Sequence, residues 1–576
     1  EEEVNKILWK FRDDAFDALL FVKHVSKITV SNISSGKLIE EYKVEVTMSE
    51  DDKRMRDEFF QSVQKISSQY KQDRTSIINM SPKEIGYTVK VTDGKQISKS
   101  YFVVQRIGFK EGFKFPKTVK HALEKKKLGQ LPLCGVAVVI PDIEKICQQY
   151  EKNDDPCHTV YKKEHIRPTS ENGRAFCFLP LPLRTGLPCH INGHFVLDHE
   201  ARRSLWKEDK GYRRDWNHSL FQAIVSPAYI SALLFLKQHI FGEKHERSSV
   251  LIHRLLGAFH SQFPLLNLAK DDDWKAVVQF LYRLMIEDEV ELFPVMHESI
   301  VNSQSVSCIK KTRLHWVALQ NSGKLFPAYF HELNPQLASI LKGLGMKLVD
   351  SPLVIKQSIK ESGNQIEEVS PNAVAKFLKS HNSTEKDTCS LQINVPISNT
   401  TIGTADNVRM VIQYLKSMPD FSEEINQLPL LLTNDETLRL FLSNQPAIIS
   451  NFWDLFPYSF EHFLHHELVC ICQSVKFKDS GVLCELSVQK LEQLLPSTIK
   501  PELYKAGKDR ICSKLSHSIP NQSWIVRLWE FLYEQSVKYS DFGLVSIDHS
   551  VLKQNMKILE HWSFLPVKHN DKDTFL

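Results

Sequence analysis

Residues 173–206, GRAFCFLPLPLRTGLPCHINGHFVLDHEARRSLW, constrain the fold more than any other part of this chain, and RDWNHSLFQAIVSPAY extends the constraint to Tyr229. Two apolar runs, Phe176 to Leu183 and His190 to Leu197, are joined by Arg184-Thr185-Gly186-Leu187-Pro188. Short apolar runs about a bend bracketed by Gly and Pro read as β-strands around a turn. After His199 the spacing becomes helical, along a face that begins near Asp215 and Trp216, carries Leu220 and Ile224 and stops at Pro227. The unit is strand, turn, strand, helix. Pro fixes φ and Gly reaches conformations closed to other residues, so a dense set of both beside aromatics demands a narrow backbone path. The positions expected to hold that path are Phe176, Pro180, Pro182, Gly186, Pro188, Asn192, Gly193, Trp206, Trp216, Pro227 and Tyr229. The plainer reading of the same residues is the best-packed hairpin of an α/β core.

The chain before this unit alternates helices and hairpins. Ile7, Leu8, Phe11, Ala15, Leu19 and Val22 have amphipathic helical spacing. Strands at Lys27 to Asn32 and Tyr42 to Thr47 flank a turn at Ser35-Gly36. Ser49 with Asp52 forms a capping-box pattern that starts a helix through Phe59, Phe60, Val63 and Ile66. Tyr87 to Val91 and Tyr101 to Gln105 form a second hairpin through Asp93-Gly94. Gly135 to Ile140 reads as a buried strand, and polar residues 153–172 as a loop. Residues 1–230 are thus expected to form one α/β layered domain, with its central motif at 173–229.

From Ser231 the chain is mostly helical with strand-like islands, which makes the whole an α+β protein. Trp274, Val277, Val278, Leu281, Leu284 and Met285 share a helix face, and Ser370-Pro371 is a helix start. Polar residues 380–388 place a boundary between a subdomain at 231–380 and a C-terminal one at 381–576. In the last of these, Thr433-Asn434-Asp435-Glu436 is expected to start a helix carrying Leu438 and Phe441. Ser523 is expected to cap a helix carrying Trp524, Leu528 and Leu532, and Trp562 to end a helix running into a Leu-Pro strand.

Charge and cysteine content narrow the function. With 73 basic against 69 acidic side chains the net charge is +4, too small at this length to point to nucleic acid or an anionic membrane as partner. There is no run of about 18 apolar residues, so no membrane span is expected. Eleven cysteines, an odd count, are scattered through apolar runs, which suits reduced thiols in the cytoplasm better than a disulfide framework. The opening Glu-Glu-Glu, with no basic-apolar leader, reads as the start of a piece cut from something longer.

Catalytic patterns are sparse. No Gly-rich phosphate loop followed by Lys and Ser or Thr is present, and no GxSxG elbow. His465-His466-Glu467-Leu468-Val469-Cys470 misses a zinc-binding HExxH at its last position, where Cys470 stands. Cys177, Cys189, His190 and His194 have no recognised zinc spacing. Both groups read as core thiols and ordinary histidines, so no metal and no cofactor is expected on this chain.

The wording FCFLPLPLRTGLPCHINGHFVL, then RRSLW, DWN, SLF and SPAY, resembles the sacsin-repeat family. The resemblance is close from about Asp14 to just beyond Tyr229 and weaker at Leu341 to Asp350 and Leu428 to Phe441. In that family an Hsp90-type ATPase domain precedes a segment of this kind. The resemblance therefore implies an N-terminal α/β domain like the one that follows the ATPase domain in Hsp90-like proteins, in a non-enzymatic, chaperone-like coupling module. Its implied partners are the upstream ATPase domain, cytoskeletal (intermediate-filament) clients and the Hsp70 system, with ATP and Mg bound only once that domain is present. Glu1 and Asn5 match the spacing of that nucleotide site, but no Asp-Gly with a Gly-rich lid follows. In Hsp90-like proteins the segment after the ATPase domain sends a basic side chain to the terminal phosphate. The nearest match to the family's loop is Leu187 to His194, where the arginine position falls on Gly193. Arg184, Arg202 and Arg203 are the nearby candidates to replace it, and packing of their stems on Trp206 is their ordinary role. Two other functions stay open: an enzyme with its own site, and a passive scaffold or interaction spacer without nucleotide coupling.

Overall fold

The computed structural model describes residues 14–34, 36–94, 98–151, 173–199, 202–207, 211–242, 247–301, 309–320, 326–381, 392–499, 521–539, 545–562, 566–569 and 572–575, with isolated positions before residue 14. The expected loop at 153–172, and Glu1 with Asn5, lie outside these residues; of the loop expected at 380–388, Ser380 and His381 end a helix and the rest lies outside them. Helices and strands are mixed along the chain, an α+β architecture. It divides into two compact units, residues 1–331 with 347–368, and residues 332–346 with 369–576.

The first unit is built on an eight-stranded sheet. Its strands are β1 (Lys27–Ser34), β2 (Lys37–Thr47), β3 (Lys83–Asp93), β4 (Ser98–Ile107), β5 (Leu133–Val139), β6 (Arg174–Cys177), β7 (Leu179–Arg184) and β8 (Cys189–Gly193). They lie in the order β1-β2-β3-β4-β5-β8-β6-β7. All neighbours are antiparallel except β6 and β8. The two-residue period of a strand sends Phe102, Val104, Val136, Val138, Ala175 and Ile191 to one face, and Tyr101, Val103, Ala137 and Phe176 to the other. Helix α1 (Glu50–Gln72) and helix α2 (Lys117–Glu124) cover the first face. Ala15 and Leu19 to Phe21 cover the second. The Ser49 capping pattern forms as expected, with Ser49 Oγ accepting from the Asp52 amide at 3.0 Å.

The first face is filled by helix α3, which runs without a break from Tyr212 to Phe241. Trp216, Leu220, Phe221, Ile224, Leu233, Leu236 and Ile240 along it are all 0% exposed. Phe235 stacks on Phe102 of β4 with ring centroids 3.5 Å apart. By length and composition α3 could cross a membrane, yet 72% of its most apolar window is buried inside the protein. Helix α4 (Ser249–His260) and helix α5 (Asp272–Glu287) add their apolar faces to the same core. Asp271 caps α5 by accepting from the Trp274 amide at 3.3 Å.

Pro227 does not stop α3. It lacks the N–H that would bond the Ala223 carbonyl, and the helix widens to a π turn over Phe221–Val225. The Lys110 amide donates to that freed carbonyl at 2.9 Å, and Ser226 Oγ donates to the Phe221 carbonyl at 2.8 Å. A donor from another part of the fold thus replaces the missing one.

In the second unit, Pro371–His381 is the helix expected after Ser370, whose Oγ accepts from the Ala373 amide at 3.2 Å. The helix expected at Thr433 is absent; Leu431–Leu432 and Thr437–Arg439 pair as a hairpin. The intervening residues make its turn, with Glu436 at φ 61° and Thr433 Oγ donating to Asp435 at 2.5 Å. Short polar side chains that bond locally serve turns as readily as helix starts, and pairing across the turn decides between them. The helix Gln522–Glu534 is capped by Asn521, two residues earlier than the expected Ser523, which lies inside it.

Candidate functional site

The motif at 173–229 folds differently from the expected hairpin. Its first apolar run breaks at Phe178, a single residue at φ 63° between β6 and β7. The second run, β8, pairs with β6 and β5 but not with β7. Asn192 explains the break: its Oδ1 accepts from the Phe178 amide at 2.8 Å and holds the strained bend. Pro180 and Pro182 then lie in β7, an edge strand, where a missing N–H costs no ladder bond. Gly186 at φ 77° closes the next turn, and a Cβ there would collide with the Leu268 carbonyl. Leu187 is buried beside it, and Pro188 is half-buried before β8. A Cβ on Gly193 would meet the Phe195 ring at 2.6 Å.

The polar residues of the motif are spent on backbone. Asn217 accepts from the Val196 amide at 2.8 Å and donates to the Val196 carbonyl at 2.9 Å. Trp216 Nε1 donates to the His194 carbonyl at 3.2 Å, and Tyr229 Oη donates to the Gln262 carbonyl at 2.8 Å. Asp215 accepts from Thr118 of α2. These bonds join β8, the loop after it, α2 and α3 into one block. His194 is caught inside: its Nδ1 accepts from the Leu131 amide at 3.1 Å, its Nε2 is buried with no hydrogen-bond partner, and burial pushes its pKa down to about 4.

The candidate arginines sit on two elements. Arg184 ends edge strand β7 and is exposed. Arg202 and Arg203 are exposed on the loop closed by the Leu197–Leu205 bridge. The Asp198 carboxylate organises that loop, accepting from the amides of Arg202, Arg203 and Ser204 at 3.0, 2.9 and 2.7 Å. Arg202 itself is at φ 52°. The cation over Trp206 is Arg213, 4.3 Å from the ring centroid, and His199 packs edge-on at 4.5 Å.

Strand alternation splits the Cys177, Cys189, His190 and His194 group. Cys189 faces the helical core and its thiol is pushed up to about 12 by burial, whereas His190 packs on the opposite face between Tyr101 and Phe176. The His465 and His466 rings stack 4.4 Å apart, His466 also lies over Trp453, and Cys470 is exposed. Among the described residues no group of three or more His, Cys, Asp and Glu side chains is placed to hold a metal ion. The described cysteines, Cys134, Cys147, Cys177, Cys189, Cys470, Cys472 and Cys484, are unpaired thiols. Alkylation without reductant followed by mass spectrometry is expected to label all eleven cysteines of the unfolded chain; one stoichiometric disulfide in fresh protein counts against this.

Two buried clusters escaped the sequence reading. On the second face of the sheet, Arg174 pairs with Asp14 and, at 3.3 Å, with Asp17, while His190 lies 3.8 Å from Asp17. Beneath α4, Ser351 Oγ lies 3.4 Å from His260 Nε2, and His331 lies 3.7 Å from Asp350. The one sequence signal for the first is a charge inside an apolar run, Arg174 before Ala175 and Phe176. The second joins elements far apart in sequence and has no local signal.

Sacsin of Homo sapiens is 27% identical over 606 aligned positions, which take in 98% of this chain and 12% of Sacsin. The chain is therefore a sacsin-like segment that spans about an eighth of its relative. No family model and no solved structure matches it.

Proposed function

We propose that this chain is a chaperone-related coupling segment that binds no nucleotide itself and works with an Hsp90-type ATPase domain preceding it in a longer, cytoplasmic protein. One observation carries the reading: the motif's buried polar side chains, Asn192, Trp216, Asn217 and Tyr229, are all used to weld backbone to backbone, while Arg202 and Arg203 stand exposed on a loop pinned by Asp198. A rigid block that presents cations suits transmission of nucleotide state better than chemistry of its own. The similarity to Sacsin over nearly the whole chain supports the same assignment. ATP and Mg belong to the upstream domain, and cytoskeletal proteins and the Hsp70 system are the proposed partners. With most of its apolar length buried, α3 serves as a core helix, and neither membrane nor nucleic acid is a proposed partner.

The test is ATP turnover by a longer protein that includes the preceding domain, with Arg184, Arg202 and Arg203 changed singly to Ala. Loss of a donor that reaches the transferred phosphate lowers the rate by about 10²- to 10³-fold. Parental turnover in all three variants overturns the arginine assignment. Calorimetric titration of the 576-residue chain alone is expected to show no ATP binding, and micromolar affinity there overturns the proposed division of labour. A longer protein whose thermal stability ignores ATP returns the chain to a passive scaffold.

A further inference from the structure

The two edges of the eight-stranded sheet are built differently. At one end, β7 carries Pro180 and Pro182, which block strand addition. At the other end, β1 (KITVSNIS) has no proline and a single charge, Lys27. The irregularity in its pairing falls on the inner partner: Val30 faces Tyr42 and Ser31 faces Glu40, so the extra residue is Glu41 of β2 and β1 itself runs straight. Among the described residues nothing pairs with the outer side of β1.

The register shows which groups that edge offers. The Ser26 carbonyl accepts from the Val46 amide at 2.8 Å, which makes Ser26 and Val46 a hydrogen-bonded pair. Antiparallel alternation then turns the amides of Ile28 and Val30 toward β2, and those of Lys27, Thr29 and Ser31 outward. Side chains continue the pattern. Ile28 and Val30 are half-buried at the rim of the core that includes Tyr42 and Val44. Val25 and Ile33, on the other face, are 48% and 72% exposed.

We propose that β1 pairs antiparallel with β1 of a second copy of this chain, about a two-fold axis at Thr29. In this register Thr29 faces Thr29 of the second copy, and Lys27 faces Ser31, so no like charges meet. Ile28 faces Val30, which extends the half-covered core rim across the junction. Exposed Val25 of each copy comes opposite exposed Ile33 of the other. Every outward amide from Lys27 to Ser31 thereby acquires a partner, and the contact is isologous and closed. The interface is a strand pair with its flanking side chains, small for a stable contact, and the self-association expected of it is weak, on the order of micromolar.

Sedimentation velocity of the 576-residue chain from about 1 to 100 μM is the first test, with a concentration-dependent monomer–dimer equilibrium as the expected result. Thr29→Pro deletes an outward donor without touching the β1–β2 ladder and is expected to leave only monomer. Ile33→Lys changes an exposed side chain that folding does not need and is expected to weaken dimerisation by about tenfold or more. Thr29→Cys locates the axis: hydrogen-bonded antiparallel partners have Cα atoms about 5.5 Å apart, within disulfide reach, so oxidation is expected to give a covalent dimer absent from the parent protein treated alike. A chain that stays monomeric throughout overturns the proposal. So does a dimer that neither cross-links through Thr29→Cys nor responds to Thr29→Pro and Ile33→Lys.

Discussion

Trp216→Ala is expected to destabilise the first unit by about 3 to 5 kcal/mol, the range for truncating a fully buried large aromatic. Trp216 is 0% exposed at the start of α3. Its ring packs edge-on to Phe109 at 5.7 Å, and its Nε1 holds the His194 carbonyl. The substitution therefore opens a cavity between α3 and the loop after β4, and it also strips a partner from a carbonyl at the end of β8. Trp216→Phe restores much of the volume but not the hydrogen bond, so it is expected to fall between the two. Urea unfolding followed by circular dichroism measures the order parent, Phe, Ala. An alanine variant that melts within a degree of the parent removes Trp216 from the set of anchors.

Acid is expected to begin destabilising the first unit above the range in which ordinary carboxylates protonate, because two histidines are buried uncharged. Burial pushes His260 down to about 3 and His194 down to about 4, against about 6.5 in an unfolded chain. Asp350 opposes the effect of burial at His260 but does not reverse it. Between the folded and unfolded values the unfolded chain binds more protons, so stability rises with pH across that window. The contribution is complete above about pH 7 and is lost progressively as pH falls from about 6.5 toward 4. A tenfold difference in proton affinity between the folded and unfolded chain corresponds to about 1.4 kcal/mol, so each histidine is worth on the order of 3 kcal/mol by pH 4. Unfolding midpoints from pH 8 to pH 4 are the measurement. The slope is expected to flatten in His194→Gln and His260→Gln, even where these variants are less stable at pH 7. A parent whose stability is constant from pH 7 to pH 5 contradicts the assignment.

Much of the N-terminal unit is legible from local pattern. The Ser49 cap, the hairpins of β1 with β2 and β3 with β4, and the buried β5 all follow from period, capping and turn residues, which act over a few positions. The Thr433 turn, read as a helix start, shows the limit: its residues suit either structure, and pairing of Leu432 with Leu438 decides. The arginines were legible as charges beside a motif, but not their settings. Asp198, which holds the loop of Arg202 and Arg203, and Arg213, which covers Trp206, act through contacts that no spacing rule singles out.

The motif at 173–229 divides along the same line. By itself the sequence determined that this stretch is strand-rich, that it leads into a helix beginning near Asp215 and Trp216, and that Gly and Pro crowd its turns, since these are properties of single residues and their periods. Only the tertiary structure decided the bend at Phe178, the insertion of β6 between β7 and β8, and the passage of α3 through Pro227. Each of these replaces a local preference with a bond from afar: Asn192 to the Phe178 amide, β8 to β5, and Lys110 to the carbonyl that Pro227 leaves free. A buried backbone group must find a partner somewhere, and in a packed core that partner need not be near in sequence.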